Sequence, residues 1–275
     1  MTLKSFTFGG FSKVVHNTEA PSVDTPGINI IPGASNVKGS WTTILDPLPH
    51  DVFALNIGFY NGDVSATNRG SLCDIGIDLS GGTTFSVLIP DLLCGSAAPG
   101  SLGGGQKYSF PLFIPSGATV GARAQTAAAA SGTLNVAISG YGGIKDNHFF
   151  KVGRKVEALG IVSASSRGTT IVSGATSFGS PTFDGFYAEH GFSVNSAAMT
   201  AVRYHTHLFS TDRIANVERN NFKVHVTTAL EQVIGVCTNP FYTFGIIKTT
   251  DTWSITASAN AAFIAGISAA IYIVR

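Results

Sequence analysis

Apolar and polar residues alternate with a period of two through much of this chain, the pattern of a strand with one face buried and one solvated. Leu55, Ile57 and Phe59 fall on one side while Asn56 and Gly58 fall on the other. Ile75, Ile77 and Leu79 alternate in the same way with Asp74, Gly76 and Asp78. Further strands are expected at Phe85 to Ile89, Tyr108 to Ile114, Thr119 to Gln125 and Leu134 to Ser139. The pattern resumes near Gly168 to Val172, Ala201 to Phe209, Asn221 to Thr227, Gln232 to Val236 and Tyr242 to Ile247, and it ends in two C-terminal strands. Between the strands lie turn formers, such as Asn61-Gly62-Asp63 through Arg69-Gly70 and the glycine-rich run from Gly95 to Gly105. No segment has a convincing helical period. The expected class is all-β, built from antiparallel sandwich or jelly-roll-like sheets.

The second half repeats the strand grammar of the first in degraded form. Tyr108-Ser109-Phe110, running on to Ala137-Ile138, is matched by Tyr242-Thr243-Phe244, running on to Ala270-Ile271. Upstream, Leu93-Cys94 is set against Val236-Cys237, and Asp74 to Leu79 against Asn221 to Val226. The division expected from this repeat is an irregular N-terminal arm over 1–38, a first module over 39–144 and a second over 145–275, each of ordinary domain size. Gly9-Gly10, Pro21, Pro26-Gly27 and Pro32-Gly33 preclude a long helix in the arm, which is expected either to lie on a neighbouring subunit or to pack locally.

Composition narrows the function. Charged residues are 12% of the chain and the formal net charge is +1, so nothing favours a nucleic-acid partner held through phosphates. Cys73, Cys94 and Cys237 are odd in number, and Cys94 and Cys237 end apolar runs, which suits buried free thiols better than a bridge between Cys73 and Cys94. The N-terminus has no continuous apolar stretch of the signal-peptide kind. From Thr252 to Val274 there is no charged residue, yet Phe263, Ala265, Ile267, Ala269, Ile271 and Ile273 keep the strand period, so membrane insertion is not expected.

Candidate chemistry is sparse. If Val202, Tyr204, Thr206 and Leu208 face a core, Arg203, His205 and His207 share the outer face, and a paired strand is expected to add Lys223 and His225 to it. Three imidazoles can ligate a metal, but Arg203 and Lys223 repel a divalent ion and no carboxylate is evident beside them. The face is therefore read as a contact surface for another chain or an anionic sugar, with no metal and no cofactor. Asp184-Gly185-Phe186-Tyr187-Ala188-Glu189-His190 reads as a loop-like aromatic cluster, in which Phe186, Tyr187 and His190 are candidate glycan contacts. Asp184 and Glu189 are the acids a glycosidase would need, but GxSxG, CxxC and HExxH are all absent and no enzyme is expected. Trp41 and Trp253 flank strands and are read as packing residues.

Four runs carry a resemblance to a known family: Gly39-Ser40-Trp41-Thr42-Thr43-Ile44; Ser71 to Ile77 with its Asp74-Ile75-Gly76-Ile77; Val87-Leu88-Ile89-Pro90-Asp91-Leu92-Leu93; and Tyr108 to Gln125, which contains Phe110-Pro111-Leu112-Phe113-Ile114-Pro115 and Arg123-Ala124-Gln125. Together they resemble a β-sandwich module of tailed-bacteriophage virion proteins, over about residues 39 to 141. The resemblance implies an accessory structural protein of capsid, collar or tail, assembled in the host cytoplasm as a homo-oligomer with sister subunits and other virion proteins as partners. In the second half it fades, with Gly245 where the first half has Pro111. The alternative reading is a carbohydrate-binding module of the virion that holds a host surface glycan.

Overall fold

The computed structural model describes residues 10–17, 27–62, 70–95, 106–126, 133–144, 151–160, 169–170, 174–194, 203–211, 218–224, 247–259 and 267–275. The first half contributes β1 (Phe11–His16), β2 (Ile28–Ile30), β3 (Thr42–Leu45), β4 (Ala54–Gly62), β5 (Gly70–Asp78), β6 (Ser86–Gly95), β7 (Gln106–Phe110), β8 (Thr119–Thr126) and β9 (Thr133–Ile144). They form two antiparallel sheets, β1-β9-β4-β7 with β2 also on β9, and β3-β8-β5-β6. Leu55, Ile57, Phe59, Val136 and Ile138 of one sheet meet Cys73, Ile75, Val120 and Ala122 of the other in a single core. This is the sandwich that the alternation predicts. The lead-in is not irregular throughout, however: β1 pairs with β9 from Phe11↔Ile144 to His16↔Ser139, and β2 pairs with Ile28↔Val136 and Ile30↔Leu134. Its described segments thus belong to the first sheet, because β4 occupies one edge of β9 and leaves the other to fill.

The second half contributes β10 (Val156–Leu159), β11 (Thr169–Thr170), β12 (Gly174–Gly179), β13 (Tyr187–Val194), β14 (Arg203–Thr211), β15 (Glu218–Val224), β16 (Trp253–Ala259) and β17 (Ile267–Val274). β17 pairs with β10, β11 and β13, while β12-β16-β14-β15 forms the other sheet. The two halves have the same wiring. The order β3-β8-β5-β6 is repeated as β12-β16-β14-β15, and β9 with its neighbours β1, β2 and β4 is repeated as β17 with β10, β11 and β13. This confirms Ala137-Ile138 against Ala270-Ile271 and corrects the upstream match: the counterpart of β5 is β14, so Asp74 to Leu79 belongs with Arg203 to Thr211, not with Asn221 to Val226. The matches at Val236-Cys237 and Tyr242 to Phe244 lie outside the described residues.

A third layer joins the halves. β6 and β7 are the edge strands of the first two sheets at the end facing the second half, and β10, β13 and β17 cover them. Edge strands carry unpaired backbone groups that must find partners once buried. Tyrosine hydroxyls supply these: Leu93 N donates to Tyr272 Oη (2.6 Å), Tyr272 Oη donates to the Asp91 carbonyl (2.9 Å), Tyr108 Oη donates to the Leu93 carbonyl, and Tyr187 Oη lies 2.7 Å from the Ser109 carbonyl. Tyr272 packs edge to face on the stacked rings of Tyr108 and Phe110, with the Tyr108 and Tyr272 centroids 5.6 Å apart. β17 is consequently buried on both sides, from Ala269 through Val274. No helix among the described residues is long and apolar enough to cross a membrane.

Candidate functional site

The residues that carried the family resemblance converge on one cluster in the first half. β5 and β6 pair through Cys73↔Leu92 and Ile75↔Ile89, so Pro90 and Asp91 face the single residue Asp74 in a bulge, with Asp91 at φ 50°. Asp is among the few residues that tolerate this left-handed region. The Asp74 carboxylate replaces the broken ladder: it accepts from the Asp91 amide (2.9 Å), Lys38 Nζ (2.7 Å) and Arg123 Nε (2.9 Å). Lys38 also reaches Asp91 Oδ1 at 2.9 Å. Arg123 stacks 4.6 Å from the Trp41 ring, which leans on Phe85 at 5.3 Å. A Cβ at Gly76 would meet Trp41 at 2.6 Å, and one at Gly121 would meet Phe85 at 2.7 Å, so these glycines make room for the rings. Trp41 therefore lies partly exposed on the outside of the sheet instead of in a core, whereas Trp253 is buried.

The glycan contacts expected at Phe186, Tyr187 and His190 are not displayed. Tyr187 and His190 lie in β13 and Phe186 immediately precedes it, and the three residues are buried, Tyr187 completely. Tyr187 Oη reaches Glu189 Oε2 at 3.0 Å as well as the edge of β7. His190 is held neutral by burial, which lowers its pKa from 6.5 to about 4. Asp184 accepts from Lys248 Nζ (2.7 Å) and the Thr249 amide (3.0 Å), and the Lys248 bond holds its carboxyl below the ordinary range.

The histidine-rich face takes a different register from the one expected. β14 pairs with β15 through Arg203↔Val224, Tyr204↔Lys223, His205↔Phe222 and His207↔Asn220. Lys223 is thus in phase with Tyr204 and out of phase with Arg203, His205 and His207, because the ladder is one residue away from the pairing that would align them. His225 lies outside the described residues. Among the described residues no group of three His, Cys, Asp or Glu is arranged to hold a metal ion. Cys73 and Cys94 are free and buried, and desolvation pushes both thiols well above their usual pKa; Cys94 Sγ donates to the Leu92 carbonyl at 3.1 Å. Cys237 is outside the described residues.

Sequence reasoning missed a second cluster, where the halves meet. Lys151 lies 4.7 Å from the Phe186 ring centre, Arg154 4.9 Å from Phe113, and Lys155 and Arg275 5.5 and 4.7 Å from Phe183. Beside them a cleft of about 260 Å³ opens between Pro90-Asp91 of the first half and Lys155 to Ala158, Thr182 and Phe183 of the second. Glu157 Oε2 accepts there from the Thr182 amide (2.8 Å) and hydroxyl (3.0 Å). The run of charges around Lys151 to Lys155 was visible in the sequence, but the rings and Arg275 reach it only through the fold.

No protein-family profile and no curated protein matches the sequence. Solved structures that superpose on it include PNGF-II (TM-score 0.39, 10% identity, 97% of this chain and 65% of that chain) and recombinant peptide:N-glycanase F (TM-score 0.39, 11% identity, 96% of each chain). The major capsid protein P2 of bacteriophage PM2 superposes with a TM-score of 0.30 at 9% identity, over 96% of this chain and 98% of that one. The chain spans 65% of the length of PNGF-II. Superpositions this loose establish no common function, and the double sandwich rests on the strand pairing described above.

Proposed function

We propose that the chain is a non-enzymatic structural component of a virus particle, of the accessory kind carried by tailed phages as decoration, collar or fibre, and that it acts through subunit contacts. The observation that supports this reading is the fusion of two like-wired sandwiches into one body, in which the open edges of the first are roofed by a sheet of the second. The buried acid Asp74 and the junction tyrosines are committed to holding that body together. A rigid block of this kind suits a part whose work is to keep its shape between neighbours. Sister subunits and other virion proteins are the partners, and the contact region is the face of the β14–β15 pair to which the register assigns Arg203, His205 and His207, Lys223 falling on the other face.

Light scattering on the full chain tests this. The expected result is a defined oligomer that shifts toward monomer in the H205A/H207A double variant with the fold intact. A chain that stays monomeric at every concentration, alone and with particle fractions, would overturn the reading.

A further inference from the structure

The junction of the two halves presents four cations that have no acidic side chain paired with them among the described residues. The amides of Arg154 and Lys155 donate to the Arg275 carbonyl at 2.7 and 3.2 Å, and the Phe113 amide donates to the Gly153 carbonyl at 2.9 Å, which gathers Lys151, Arg154, Lys155 and Arg275 around the end of β17. All four are exposed. Among the described residues none of them takes part in an ion pair, since the described pairs involve Lys38, Arg123 and Lys248. Each instead rests on a phenylalanine ring, which restrains the side chain while the residue stays exposed. Cations restrained in this way lose little further entropy on meeting an anion.

Positive charge alone would accept any polyanion. The adjoining cleft is more selective, because it sets two carboxylates, Asp91 and Glu157, and the Thr182 hydroxyl against the single cation Lys155, among Pro90, Val156, Ala158 and Phe183. A phosphate or carboxylate placed between Asp91 and Glu157 is repelled, whereas a hydroxylated ring donates to these carboxylates and covers the apolar wall. The two parts together select a ligand that is neutral and hydroxyl-rich at one end and acidic a few ångströms away. We propose that this junction binds an acidic oligosaccharide, with sugar hydroxyls in the cleft between Asp91 and Glu157 and the anionic group on Lys155, Arg154 and Arg275. The site is separate from the β14–β15 contact region and stands or falls independently of the subunit-contact reading.

Calorimetric titration of the full chain with four probes decides it: tetragalacturonate, a sulfated tetrasaccharide, neutral maltotetraose and a short poly-glutamate. The two acidic saccharides are expected to bind, the preferred one reporting whether carboxylate or sulfate is recognised, with an affinity that falls as salt rises. Maltotetraose and poly-glutamate are expected to bind at least about tenfold more weakly, one lacking the charge-assisted bonds and the other the hydroxyls. The R154A/K155A/R275A variant is expected to lose about tenfold or more toward the acidic saccharides. R154K/R275K keeps the charge and the fold but loses the planar forks, and is expected to weaken binding severalfold with an unchanged unfolding midpoint. A158L, which narrows the cleft, should weaken the saccharides and leave poly-glutamate unaffected. Acidic saccharides binding no better than maltotetraose, poly-glutamate binding as well as they do, or R154K/R275K and A158L both retaining full affinity would each overturn the proposal; the second outcome would make the patch a dock for an acidic protein.

Discussion

Asp74 shows how one side chain can set a local structure. It is 4% exposed, yet it satisfies two cations and a backbone amide, and without it the bulge at Pro90-Asp91 has no acceptor. Removing one member of a buried ionic cluster strands the others, so Asp74→Ala is expected to lower stability by about 3 kcal/mol, read from the urea midpoint. Arg123→Lys keeps the charge but not the stacking on Trp41, and should cost less. His190 makes a pH prediction. Its pKa is near 6.5 in the unfolded chain and about 4 in the folded one, so the unfolded state binds more protons below pH 6.5. Stability contributed by the neutral ring is therefore complete above pH 6.5 and lost as pH falls toward 4. Thermal midpoints of the native chain should drop across that window, and His190→Gln should flatten the slope there. Asp74, Asp91, Arg123 and Trp41 were conspicuous in the sequence as charged or aromatic residues inside strand motifs, whereas the burial of Phe186, Tyr187 and His190 was not, because their neighbours in space come from β7 and β17.

Strands differ in how openly the sequence announces them, and the reason is which faces they bury. β4 alternates cleanly because Leu55, Ile57 and Phe59 meet the core and Asn56 does not, and β5 alternates in chemistry, with Cys73 and Ile75 on the core and Asp74 buried on the other side under Lys38 and Arg123. β13 has no such contrast: Tyr187 and Glu189 turn toward the first half, Ala188 and His190 lie on the other side, and all four are buried, so polar and apolar residues mix on both faces. A segment like that reads as a loop. β17 shows the other extreme, an apolar run buried on both sides like a central strand of a covered sheet. The β14–β15 register was out by one residue because alternation fixes faces within a strand but says little about alignment between strands. The tyrosine hydroxyls at the junction belong to this scale, since they stand in for absent strand partners. Tyr272→Phe removes the acceptor of the Leu93 amide and the donor to Asp91, and is expected to cost about 2 kcal/mol by leaving a buried N–H unpaired. Tyr187→Phe should cost about 2 kcal/mol as well, since the Ser109 carbonyl and the buried Glu189 carboxylate both lose the hydroxyl. Hydrogen exchange at the Leu93 amide should accelerate in the first variant.

At the scale of the molecule, the duplicated wiring produces one cooperative body because Tyr108, Phe110, Val156, Phe186, Tyr187 and Tyr272 share a core drawn from both halves. Thermal unfolding of the full chain is expected to give a single transition, with near-ultraviolet and far-ultraviolet signals coinciding; two resolved transitions would contradict a shared core. The repeat itself was legible from the sequence, but among the described residues its alignment was right only at the last strand, because divergence between the halves has removed most framework residues from the second and left topology as the surviving record. The roof over β6 and β7 also has a consequence in time. The first half is made first, and the strands that cover its edges are made later, β17 latest of all. A nascent chain that has reached Ile144 therefore holds two finished sheets with bare edges, open to pairing with any other such chain on the same message. Residues 1–144 produced alone should consequently aggregate or pair edge to edge, and supplying residues 151–275 in trans should rescue them, so that synthesis of the second half acts for the first as an intramolecular chaperone.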